Sequence, residues 1–210
     1  MLMEAEKWNK LVQEQYAWIP ELEEYYRQFI GEGGLALPID EGIKPILTRL
    51  WALNYKTFMS CQGHSEKSSV SGHEEAYVAV IVPVDNIARF LKGLKLLMRA
   101  TSRHPEINQK YGHWTVAITV PNSGTLPGSA SAAALVKMGF ASAHISCFAE
   151  GETNENSPPP GYALVSVYVQ ARSLVRDPDA FYKKTMQFVY TRIDRMITGR
   201  SNNTDKVVIK

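Results

Sequence analysis

Three segments in the second half of the chain alternate between an apolar face and a mixed polar-aromatic face, and this limits the fold more than any other feature. From His113 the chain reads His-Trp-Thr-Val-Ala-Ile-Thr-Val. Side chains two apart share one face of a β-strand. Trp114, Val116, Ile118 and Val120 therefore form one face, and His113, Thr115, Ala117 and Thr119 the other. The stretch from Ala143 sets Ala143, Ile145 and Cys147 against His144, Ser146 and Phe148. Tyr162–Ala171 sets Ala163, Val165, Val167 and Val169 against Tyr162, Leu164, Ser166, Tyr168 and Gln170. Such a sheet needs helices on its apolar face and leaves the polar-aromatic face for solvent, a ligand or partner, a second copy, or cover by the N-terminal helices.

The rest of the chain supplies those helices. Ile43, Ile46, Leu47, Leu50, Trp51 and Leu53 are spaced as a helical stripe, with Asp40 placed to cap it and Pro45 in its first turns. Tyr55–Ser60 reads as a short strand and Ala76–Val82 as a buried one. Asp85 is placed to cap a helix to about Arg99, and a short helix ends at Met138 before Gly139. Asp177-Pro178-Asp179 opens a last helix expected to run to about Thr198. Helices between strands, with one hairpin, predict an α+β fold: a mixed sheet of about five strands with helices on one face.

The chain is 210 residues with 45% apolar content, enough for one sizeable core. Two aromatic-rich amphipathic segments in residues 1–34 predict an N-terminal helical arm before an α/β domain at 35–199. The polar stretch 200–210 is expected to be a loose tail. A net charge of +2 argues against a global field for gripping nucleic acid, so any such binding must rest on a local patch. Met1–Lys10 holds no apolar core of a signal peptide, and Ala76–Val84, the longest apolar run, is too short to span a bilayer. With two cysteines, Cys61 and Cys147, the expectation is a cytoplasmic protein with free thiols.

Ser60-Cys61-Gln62-Gly63-His64 is the densest run of functional side chains. Read as a loop after a strand, it offers a hydroxyl, a thiol, an amide and an imidazole. Gly63 would let a ligand approach the backbone. Pro38-Ile-Asp-Glu-Gly-Ile-Lys-Pro-Ile-Leu, followed by Tyr55-Lys-Thr-Phe-Met-Ser-Cys-Gln-Gly-His64, resembles a pattern in uncharacterised phage and bacterial proteins. It is also similar to the opening of the tRNA wybutosine-synthesis methylase family. Thr57, Ser60, Cys61 and Gly63 match that family's order, while Gln62 stands in place of a serine and His64 in place of an arginine. The resemblance covers about residues 38–64. It implies a site loop on an α/β fold rather than an activity.

Three other patterns bear on chemistry. Cys61 and His64, with His73 beyond them, could begin a zinc set completed by His113, His144 or Cys147. No second close pair supports it, so neither a metal nor another cofactor is expected. His113-Trp-Thr115 and His144-Ile-Ser146 resemble the paired motif of two-histidine phosphoesterases, in which imidazoles act as general base and acid and hydroxyls hold phosphate oxygens. The Gly/Ser-rich stretch Pro121–Ser131, which contains Ser129, precedes a helix start that could bind an anion.

These patterns leave three functions open. The first is binding of a phosphate-bearing ligand, a nucleotide or RNA, by Ser60, Gln62, Gly63, Thr115, Ser129 and Ser146, with Cys61 and His64 as reactive groups. The second is phosphodiester cleavage by His113 and His144. The third is a non-enzymatic, phage-encoded protein whose polar sheet face grips a host protein. The aromatic-rich arm also makes a homodimer possible.

Overall fold

A computed structural model describes residues 40–64, 75–121, 131–148 and 161–193. The expected N-terminal arm, the stretch holding Ser129 and the tail lie outside them, whereas the last helix, expected to run to about Thr198, stops at Tyr190 with Thr191 as its C-cap. The described chain runs α1 (Lys44–Ala52), β1 (Lys56–Gln62), β2 (Ala76–Pro83), a 3-10 turn (Val84–Asn86), α2 (Ile87–Ser102), β3 (Gly112–Pro121), α3 (Ala132–Lys137), β4 (Ser142–Phe148), β5 (Tyr162–Ala171) and α4 (Pro178–Tyr190). The strands form one mixed sheet in the order β1-β2-β5-β3-β4. No described helix is long and apolar enough to cross a membrane.

The expected α+β architecture is present. β1 and β2 form an antiparallel pair, and β5 lies antiparallel between β2 and β3. β3 and β4, joined through α3, run parallel. The polar stretch after β4 therefore does not close a hairpin onto β5, because β3 separates the two strands. β5 fills the space that the α2 crossover leaves between β2 and β3. Both connections thus lead over the face that the helices cover.

That face is the core. Trp114, Val116, Ile118, Val120, Ala163, Val165 and Val169 are buried in one cluster with Ile46, Leu47 and Leu50 of α1, Phe90 and Leu94 of α2, and Phe181 and Met186 of α4. Val167 is only partly buried. Burying a side chain of this size contributes roughly 1.5–3 kcal/mol, so the alternation in β3 and β5 dictates which way the sheet turns.

Two helix starts differ from their sequence reading. Residue 43 occupies the cap position of α1 and makes no side-chain cap bond, so Asp40 does not cap the helix. Asp85 falls in the 3-10 turn, and α2 begins after Asn86 without a side-chain cap. The last helix follows its sequence signals: the Asp177 side chain accepts from the Ala180 N–H, with Pro178 in the first turn.

Candidate functional site

β1 contains the decisive irregularity. Thr57 pairs with Val80, but Ser60 pairs with Val78, so one extra residue on β1 makes a bulge between them. Thr57 faces the helices, where its hydroxyl accepts from the Trp51 indole N–H at 2.9 Å. Unbroken alternation would turn Cys61, four residues on, to the same side. The bulge reverses the phase: Ser60 falls on the helix face beside Val78, and Cys61 on the opposite face beside Tyr77. The strand also continues through Cys61 and Gln62, so these two are strand residues and not part of a loop.

Asp40 joins Cys61 and His64 because the chain doubles back. α1 runs away from Asp40, Asn54 turns the chain at φ 63°, and β1 returns alongside. Two reciprocal hydrogen bonds tie the ends. The Gln62 N–H donates to Asp40 Oδ2 at 3.1 Å, and the Gly42 N–H donates to Gln62 Oε1 at 2.8 Å. Gln62 is therefore a brace between the two segments. His64 Nε2 lies 3.4 Å from Asp40 Oδ2, both side chains being partly exposed. Cys61 Sγ accepts from the Gly63 N–H at 3.4 Å. One ligand atom from each of Asp40, Cys61 and His64 lies within 4.8 Å of the others.

Of the five residues 60–64, Cys61 and His64 come together, with Asp40 as a third member absent from the sequence reading. Burial pushes the Cys61 thiol up; the Gly63 N–H pulls it down, and Asp40 pushes it up again as a nearby charge and hydrogen-bond partner. Such a thiol is not activated as a nucleophile. Gly63 has φ +82°, and a Cβ there would lie 2.7 Å from the ring of Tyr182. The space beside this glycine is thus occupied by α4, not open to a ligand.

His113, Thr115, His144 and Ser146 lie on the same face as Cys61. Pairings continue from Cys61 to Tyr77, Tyr168, Thr115 and Ser142, one residue from each of the five strands in a single row. The Tyr77 and Tyr168 rings are 5.6 Å apart, tilted by 33°. Burial raises the Tyr77 phenol most, and the neighbouring Cys61, Tyr168 and Asp40 add to the rise. The next rows hold Ala79, Ser166, Ala117 and His144, then Ile81, Leu164, Thr119 and Ser146. His113 pairs with Gln170, on the far side of the Thr115 row from His144. The two histidines share a face two rows apart, which at the strand rise is about 13 Å along the strands.

This face is not uniformly open, as its polar alternation suggests. Ala79, Ile81, Leu164 and Ser166 are at most 7% exposed. On the β3–β4 side, His113, Thr115 and Thr119 are half-buried, and His144 and Ser146 are exposed. None of the five strands contains Asp or Glu.

No family model, curated protein or solved structure matches this chain.

Proposed function

We propose that this second face of the sheet binds a phosphate-bearing ligand of the nucleotide class, a nucleotide or RNA. The observation that carries the reading is the in-register row Cys61–Tyr77–Tyr168–Thr115–Ser142. Neighbouring aromatic rings on a sheet offer a stacking surface for planar bases. Hydroxyls and imidazoles beside them, from Thr115, Thr119, Ser142, Ser146, His113 and His144, can donate to phosphate oxygens. The lack of strand carboxylates removes a source of repulsion for an anion.

The two-row separation of His113 and His144 favours binding over joint action on one phosphodiester, because a general acid and base must both reach the same reacting group. The two imidazoles then serve as separate donors.

Calorimetric titration with a nucleoside monophosphate and with a short single-stranded RNA tests the proposal. Loss of one stacked base costs roughly 1–3 kcal/mol. Tyr168→Ala should therefore weaken binding at least about fivefold while the protein still melts cooperatively. Equal affinity of Tyr168→Ala and the parent, or no binding of either probe, overturns the reading.

A further inference from the structure

We propose that Asp40, Cys61 and His64 bind one zinc ion. Their ligand atoms already lie within 4.8 Å of one another. Ligands at the usual zinc distances in a tetrahedral site are about 3.3–3.8 Å apart, so the described cluster needs only a small contraction. The 3.4 Å between His64 Nε2 and Asp40 Oδ2 is already such a ligand–ligand separation. It is long for a charge-assisted hydrogen bond, which settles at roughly 2.7–2.9 Å.

The donor chemistry points to the same ion. One nitrogen, one sulfur and one oxygen suit a borderline cation such as zinc and do not suit magnesium or calcium, which take oxygen ligands. A carboxylate and a thiolate together balance the two positive charges of the ion.

The frame around the cluster is built from both segments. Asp40 is fixed by the Gln62 N–H, and Gln62 is fixed in turn by Gly42. Cys61 is turned to this side by the β1 bulge and receives the Gly63 N–H. Gly63 packs against Tyr182 and so sets the position from which His64 departs. Hydrogen bonds of this kind orient metal ligands and contribute to affinity. Among the described residues no fourth donor joins the group. Zinc takes four ligands in a tetrahedral site, so a fourth donor, a water or a further side chain, completes the set.

The test uses metal alone, with no nucleotide present, so its outcome is separate from that of the nucleotide titration. The full chain is loaded with zinc, dialysed and analysed for metal, then loaded with cobalt(II) and its absorption spectrum recorded. The proposal expects about one zinc per chain and, with cobalt, a thiolate-to-metal charge-transfer band with the strong visible bands of a tetrahedral site. Cys147→Ser should keep the band and Cys61→Ser should lose it. Asp40→Asn and His64→Gln should each weaken zinc binding at least about tenfold. The cobalt spectrum of the unaltered chain needs no variant to fold. Absence of the band, zinc far below one per chain, or full zinc retention by folded Cys61→Ser protein overturns the proposal.

Discussion

The two faces of the sheet are built from the same five strands and do different work. On the first face Val116, Ile118 and Val165 are at most 1% exposed, under three long-range partners, α1, α2 and α4. On the second, exposure is graded from buried Ile81 and Leu164 on β2 and β5 to exposed His144 and Ser146 on the edge strand β4. The difference teaches where stability resides and where the proposed recognition surface lies. Substitution on the first face should act on folding, whereas on the β3–β4 side of the second it should act on binding and leave the fold intact.

The largest effect should come from Val165→Asp. It would bury an unpaired carboxylate at the centre of the first face, at a cost expected to exceed about 4 kcal/mol. Circular dichroism of the purified variant should show an unfolded chain; a folded, cooperatively melting protein would break the assignment of faces. A sharper comparison sets Ile118→Ala on the first face beside Ile81→Ala on the second, both being at most 2% exposed. Each should cost roughly 2–5 kcal/mol in urea denaturation. A loss below about 0.5 kcal/mol for Ile81→Ala alone would mean that the second face is open at β2, since exposed sites are that tolerant. The smallest effect should be that of His144→Ala, which should change stability by less than about 0.5 kcal/mol. A large loss there would show that the exposed side of the second face also carries the fold.

Much of the sheet was legible because burial imposes a period of two. Trp114 to Val120 and Ala163 to Val169 marked the core side without ambiguity, and the same arithmetic assigned His113, Thr115, His144 and Ser146 to one shared face. Strand neighbours were not legible: nothing in Ser142–Phe148 or Tyr162–Ala171 states that β3 will lie between them, because pairing depends on contacts distant in sequence.

The site was legible only in part. Cys61 and His64 stand out as a close pair, but Asp40 is 21 residues before Cys61 and carries every local sign of a helix cap. Its partnership appears only once α1 and β1 fold back on each other. The β1 bulge was equally hidden. Register is decided by the pairing with β2, and a single extra residue moves Cys61 from the helix side to the side of Tyr77. Ser60 and Gln62, adjacent in sequence to Cys61, are turned away from it by ordinary strand alternation.

The central claim is that the second face is a binding surface for a phosphate-bearing ligand. Amide chemical-shift mapping during titration with a nucleoside monophosphate tests it most directly. The account predicts saturable shifts concentrated at Tyr77, Thr115, Ser142 and Tyr168, with α2 unmoved on the opposite face. Saturable shifts confined to α2 and its neighbours, or spectra unchanged at millimolar ligand (a Kd of 1 mM corresponds to about −4.1 kcal/mol), would contradict it.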